Sequence, residues 1–412
     1  MKYAFLPYTL LAAVPSVFAQ NFTFLEGLLN TLQSAGCTSL VGIASQLNSS
    51  SQGQSLLATI ANGESYVLFA PDNDAFSNAP SNLTSDVTDL FAYHVVSGNF
   101  SGVSTTYPNV TLGRTFLNDS TYVQLEGNKS QVVAWAVRSD GKTHVLNQIN
   151  DTTVANTTTY GNVTINVITS VLSYPKSFSD SVPYSNSSLN ALQSTLSNVS
   201  VPYYNASTTS TSDASVLDIV NSGLHGFTLF APNTSALEAI SSSLSSLESN
   251  TTLLQIILNN HLINGTSAYS PELVGQTYTS ASGETLSFHI NETGQYVTSG
   301  STTALIIQPD LLVSNGVVHV INQVLLNTNE DASAASSAAA SATSAAAQQT
   351  TETRPIGYSQ TASLASGSSS ASGSSSSKSS AATMFAGPSV AQMMAAGLTA
   401  MGVLAGGLLT IA

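Results

Sequence analysis

Residues 66–76 read YVLFAPDNDAF, and residues 227–237 read FTLFAPNTSAL. The two stretches lie 161 positions apart, so the chain carries one internal repeat. In each copy a short β-branched and aromatic run leads into Pro71 or Pro232, which has no N–H to donate and so closes a strand. Asp72 and Asn73 follow in the first copy, Asn233 and Thr234 in the second, as N-cap candidates for the next helix. Upstream, the apolar segments 56–63 and 216–223 both end in glycine, the pattern of a short helix with a left-handed stop. Downstream, Leu90, Phe91 and His94 share one helical face, as do Leu254, Ile257, Leu258 and His261. The copies close on apolar runs at 166–172 and 319–325. The second follows an Asn315-Gly316 turn signal and is rich in β-formers through Ile321.

Beyond the repeat, composition narrows the function. The chain has 412 residues, enough for two or three domains. Eight Lys+Arg stand against 22 Asp+Glu, a formal net charge of -14, and no basic run exists. Nucleic acid is therefore not an expected partner, because phosphate binding needs clustered cations. A single cysteine, Cys37, excludes an internal disulfide framework and a multi-thiolate zinc site.

Both ends read as targeting segments. Lys2, the apolar stretch 5–17 and the small residue Ala19 form a secretory signal with cleavage expected before Gln20. At the other end Lys378 is the last charged residue, and 34 uncharged positions follow. Small residues, a spacer and an apolar tail without a basic flank match a GPI-attachment signal, with Ser380 as the attachment candidate. Of the 52 residues from 332 to 383, 39 are Ser, Ala or Thr. Such a tract lacks the apolar surface to offset chain entropy and is expected to be an O-glycosylated disordered stalk spanning about 150 Å. Asn-x-Ser/Thr occurs 17 times, at Asn21, Asn48, Asn82, Asn99, Asn109, Asn118, Asn128, Asn150, Asn156, Asn162, Asn186, Asn198, Asn205, Asn233, Asn250, Asn264 and Asn291. In a secreted chain each is an N-glycan candidate and belongs on the surface.

Catalytic constellations are not found. There is no Gly-x-Ser-x-Gly elbow and no His-Glu-x-x-His. Gly141-Lys142-Thr143 resembles the end of a phosphate loop, but Ala136 stands where its first glycine belongs. No two of the six histidines lie within five residues, so no metal site is expected, nor any cofactor. His94 and His261 sit on apolar faces, where a buried imidazole tying a helix to a loop is the plain reading and partner recognition the sharper one. Cys37 reads as buried and inert, with an intermolecular disulfide as the alternative. Trp135 lies in a strand-like alternation as a half-buried sheet residue, or as a sugar-stacking one. Asp72 and Asp74 are better explained as caps than as a glycosidase pair, since the second repeat has Asn233 and Ser235 there.

The Phe-Ala-Pro-Asx box, the Tyr93-His94 pair and the closing run 315–321 together resemble the fasciclin domain, over residues 21–175 and 182–327. Two positions depart from that pattern: Asn166 stands where the motif has histidine, and Asn260-His261 replaces Tyr-His. The resemblance implies an α+β fold, with two tandem domains that are each a wedge-like β-sandwich with helices along one side. The whole is similar to fungal GPI-anchored fasciclin-like surface glycoproteins. It implies a non-catalytic adhesion or cell-wall role, with Tyr93, His94 and His261 as candidate binding residues. Wall or matrix polysaccharide, a glycoprotein or a neighbouring cell would be the partner, self-association is open, and membrane contact runs through the GPI lipid alone. A lipid or small apolar ligand module and a wall-remodelling glycosidase are the alternatives. The expected organisation is signal 1–19, domain 20–175, linker 176–181, domain 182–328, stalk 329–383 and tail 384–412.

Overall fold

Each copy of the box becomes a fully buried strand inside a seven-stranded sheet. The computed structural model describes residues 16–79, 86–185, 188–205, 210–242, 250–348 and 352–358. In the first repeat the strands are β1 (Tyr66–Pro71), β2 (Val95–Ser97), β3 (Thr111–Arg114), β4 (Val132–Val137), β5 (Thr143–Val145), β6 (Thr152–Tyr160) and β7 (Val163–Ile168). A hairpin, β8 (Ser200–Asn205) and β9 (Ser210–Ser215), precedes the second box. The second repeat then has β10 (Phe227–Pro232), β11 (Leu262–Asn264), β12 (Thr277–Thr279), β13 (Thr285–Asn291), β14 (Gly294–Ser299), β15 (Thr302–Val313) and β16 (Gly316–Ile321).

The sheet orders are β2-β1-β7-β6-β5-β4-β3 and β11-β10-β16-β15-β14-β13-β12, the same path strand for strand. The box strand pairs in parallel with the closing strand in both, Phe69 opposite Asn166 and Phe230 opposite His319. The neighbouring pairs are antiparallel. Helices Thr38–Leu47, Ser51–Ile60 and Val87–His94 bury Leu40, Leu47, Leu56, Ile60 and Phe91 with Phe69 and Ile165 in one core. The second repeat builds its core from Leu192, Leu196, Leu254 and Ile257 on helices Asn190–Asn198 and Thr251–Asn260. The α+β class that the resemblance implies is the class observed.

The repeats touch through their sheets. Val110, Leu112, Val132, Ala134 and Ala136 of the first form one apolar cluster with Tyr269, Leu312 and Val317 of the second. This explains the burial of β16 and of the second half of β15 on both faces, whereas β6 leaves much of its surface to solvent.

Two expectations about connecting segments are corrected. Residues 176–181 are not a bare linker: Phe178–Ser181 is a helical turn, and Phe178 is completely buried in the second core. Residues 329–383 do not begin as an extended stalk. Ala332–Ala346 is a helix capped by Asp331, whose Oδ1 accepts from Ala334 N–H at 2.9 Å. Ala is the best helix former, and the hydroxyls of Ser336, Thr343 and Ser344 donate to carbonyls four residues back instead of competing with the helix. Residues 352–358 then run as a strap over the seam, with Ile356 buried in the shared cluster and its N–H donating to Leu112 O at 3.0 Å. Among the described residues no helix is long and apolar enough to cross a membrane. Residues 359–383, Ser380 and the tail 384–412 lie outside the described residues, as does most of the expected signal segment.

Candidate functional site

His94 ends helix Val87–His94, and His261 follows helix Thr251–Asn260 at the matching place. Their environments are the same. The Nε2 of His94 accepts from Leu172 N–H at 3.0 Å, and that of His261 from Leu325 N–H at 2.9 Å. A peptide N–H can only donate, so the ring proton sits on Nδ1 in both. It is donated to Leu90 O at 2.7 Å and to Ile257 O at 2.8 Å. Burial holds both imidazoles neutral, pushing each down to about 4 against the smaller opposing pull of its carbonyl partner. Tyr93 is buried beside His94, donates to Val132 O at 3.3 Å and lies edge-on to Tyr174. The three residues expected to bind a partner are therefore core residues. His94 and His261 each tie their helix to the segment after the closing strand, and Tyr93 ties helix Val87–His94 to β4.

His319 works differently. Its Nδ1 accepts from Asp310 N–H at 3.2 Å and its Nε2–H donates to Ala268 O at 2.9 Å, the opposite tautomer. Asp310 sits in the left-handed region at φ 54° and accepts from Ser270 N–H and Oγ. Ser, His and Asp thus meet, but the serine hydroxyl donates to the carboxylate and not to the imidazole. All three are buried. The arrangement does not activate a nucleophile, which needs the base at the hydroxyl. In the first repeat Asn166 occupies the register of His319, bonds to Thr157 Oγ1 and is half-buried.

The seam gathers charge around Arg114. Its guanidinium donates to Glu352 Oε2 at 3.0 and 3.2 Å and to Ser130 O at 2.9 Å, and lies 5.7 Å over the Tyr269 ring. Glu126 pairs with Lys129 at 2.7 Å and accepts from Ser267 of the second repeat at 2.8 Å. Glu272 accepts from Tyr269 N–H, and burial pushes it up to about 7. Across the same seam Gln131 donates to Val313 O at 3.1 Å and Asn147 to Asp310 O at 2.7 Å. These residues were not singled out from sequence. The available signal was the run TETRPIGY at 351–358, which interrupts the Ser/Ala/Thr composition with two charges, a proline and an isoleucine.

The remaining candidates settle as structural. Asp72 caps a helix through Ala75 N–H at 2.7 Å, and Asn233 does the same through Ala236 N–H at 2.8 Å. Trp135 is buried, not half-buried, between Phe69 and Phe100, and offers no face to a sugar. Cys37 is fully buried, and burial pushes its thiol up to about 11, so it is neither a thiolate nor an exposed disulfide partner. An apolar cavity in the second repeat, lined by Leu196, Leu237 and Ile257, holds about 40 Å³. That is far below the roughly 300–1,000 Å³ of a ligand pocket. Among the described residues no group of three or more His, Cys, Asp or Glu could hold a metal ion. Eleven sequon asparagines are exposed, and Asn233 and Asn264 are half-buried. Asn82 and Asn186, and the side chains of Asn21 and Asn205, lie outside the described residues.

Residues 203–327 match the family model described as the fasciclin domain. The chain is 26% identical over 308 residues to a fasciclin-like arabinogalactan protein of Arthroderma benhamiae, an alignment covering 71% of this chain and 64% of that protein. It therefore spans less than two thirds of that relative's length. A solved FAS1 domain pair from the insect cell adhesion molecule fasciclin I is matched over 71% of this chain and 98% of its own, at 14% identity and a TM-score of 0.32.

Proposed function

We propose that this fasciclin-like chain is a non-catalytic surface glycoprotein. Two paired domains, carried on a GPI-anchored tether outside the cell, hold wall or matrix polysaccharide, glycoprotein or a neighbouring cell. The observation that supports it most is the duplication itself. Two copies of one module, alike strand for strand, face each other across an apolar seam, and the second matches the fasciclin domain. The name of the fungal relative, a fasciclin-like arabinogalactan protein, fits a sugar-bearing surface role. The histidines and the caps serve the fold, while the exposed sequons offer the outer surface to glycans.

Such a protein acts by number. Many copies on one membrane raise effective concentration, so weak single contacts add into firm adhesion. Two experiments test this reading. Phospholipase C should release the protein from intact cells, and retention in the membrane would refute the anchor. Cells lacking the protein should adhere poorly or build altered wall, and normal adhesion with normal wall would refute the role.

A further inference from the structure

A cleft of about 270 Å³ opens where the loop between β5 and β6 meets the second repeat. Gln148, Ile149 and Asn150 line it from one repeat, and Pro183, Ser185 and Gln308 from the other. Its lining is mostly polar, with the amides of Asn147, Gln148, Asn150 and Gln308 beside Ile149 and two prolines. The charges on its rim, Arg138 and Asp151, are paired with each other at 3.2 Å. Such a surface suits a neutral ligand rich in hydroxyl and amide groups.

Asn150 is itself the acceptor of the sequon Asn150-Asp151-Thr152. The loop around it is pinned. Thr152 is buried with its Oγ1 donating to Asn150 O at 3.1 Å, Gln148 Oε1 accepts from Ser173 N–H at 2.7 Å, and Asn147 is bonded across to Asp310. The Asn150 side chain is exposed and has no hydrogen-bond partner among the described residues. Beside it, Ile149 is 47% exposed and offers an apolar surface of the kind a pyranose face covers. Ser185 and Gln308, bonded to each other through Oγ and Oε1 at 2.9 Å, form the wall that the second repeat contributes.

We propose that the chain's own N-glycan on Asn150 seats its first N-acetylhexosamine in this cleft and bridges the two repeats. The inference rests on the surface-glycoprotein reading, since the sugar is added in the secretory pathway. There Asn150 Nδ2 forms a bond to C1 of a lipid-linked oligosaccharide. The bond from C1 to the diphosphate oxygen breaks, the lipid diphosphate leaves, and Nδ2 gives up one proton and keeps the other. Folding then closes the second repeat over the attached sugar.

The test uses the full protein from a glycosylating host, digested natively with an endo-N-acetylglucosaminidase and read site by site by peptide mass spectrometry. The glycan on Asn150 should be trimmed about tenfold more slowly than that on Asn291, the change that about 1.4 kcal/mol of seating contacts gives. The difference should vanish after denaturation. In I149D, which removes the apolar platform on an exposed loop, trimming at Asn150 should accelerate while that at Asn291 stays unchanged. An unoccupied Asn150, equal native rates at both sites, or no effect of I149D overturns the proposal. Sugar absent from every sequon would instead overturn the surface-glycoprotein reading beneath it.

Discussion

Replacing His94 with phenylalanine should cost stability at neutral pH and much less in acid. In the fold the imidazole receives Leu172 N–H and gives its own proton to Leu90 O. His94→Phe keeps the apolar bulk but strands the Leu172 amide and removes one of the carbonyl's partners. A buried unsatisfied group costs about 1–3 kcal/mol, so the variant should lose about 2–4 kcal/mol at pH 7.5. Burial lowers the folded-state value from 6.5 to about 4. A base with a depressed folded value contributes its full stability above pH 6.5 and loses it as pH falls toward 4, because the unfolded chain takes up the proton first. At 1.36 kcal/mol per unit, His94 should cost the native protein about 2–3 kcal/mol by pH 4.5. The variant is spared that cost, so the gap between the two proteins should narrow by the same amount. Other titrating groups shift both proteins alike and drop out of the difference. Urea unfolding followed by tryptophan fluorescence suits the assay, because Trp135 is the sole tryptophan and lies in the first core. A gap of equal size at pH 7.5 and 4.5 would refute the neutral bridging imidazole.

Three further outcomes follow from the seam and the core. Glu272, raised from 4.5 to about 7, penalises the folded state above pH 7 and is relieved as pH falls to 4.5. Glu272→Gln should therefore stabilise the protein by up to about 3 kcal/mol at pH 8 and by nothing at pH 4.5, read from chemical denaturation at both. Gly98 has φ 115°, and a Cβ there would lie 2.2 Å from Thr353 O, so Gly98→Ala should lift the strap. The amide of Ile356 should then exchange with deuterium as fast as an open loop; unchanged protection would contradict the strap's seating. Cys37 should resist thiol reagents in the native protein and react at once in denaturant. Fast native labelling would show that the first core opens at that helix.

Much of the module was legible because its signals are local. The Phe-Ala-Pro box marked β1 and β10, both fully buried strands, and Asp72 and Asn233 cap their helices as their side chains suggest. The offset of 161 residues aligned Phe69 with Phe230, and the structure places Asn166 and His319 opposite them. What sequence hid is long-range. Nothing near Arg114 announces Glu352, 238 positions away, and an isolated isoleucine after Pro355 looks like a blemish in a stalk. The Ala332–Ala346 helix was obscured because hydroxyl-rich composition argues for disorder on average. It does not report that the hydroxyls of Ser336, Thr343 and Ser344 bond within their own helix or that small side chains let it lie against glycines. Gly127 approaches Ala346 O and Gly283 approaches Asp331 O, so that helix touches both repeats. Tyr93, His94 and His261 were candidate contacts by resemblance, and burial in a network of backbone bonds makes them architectural.

Retention of protein-coated beads on isolated cell wall under flow tests the adhesive account most directly. Beads bearing the purified protein at graded density should hold weakly when sparse and firmly when crowded, with no sugar released into the supernatant. Absence of retention at every density, or soluble saccharide appearing as the beads sit on the wall, would contradict a protein that works by contact.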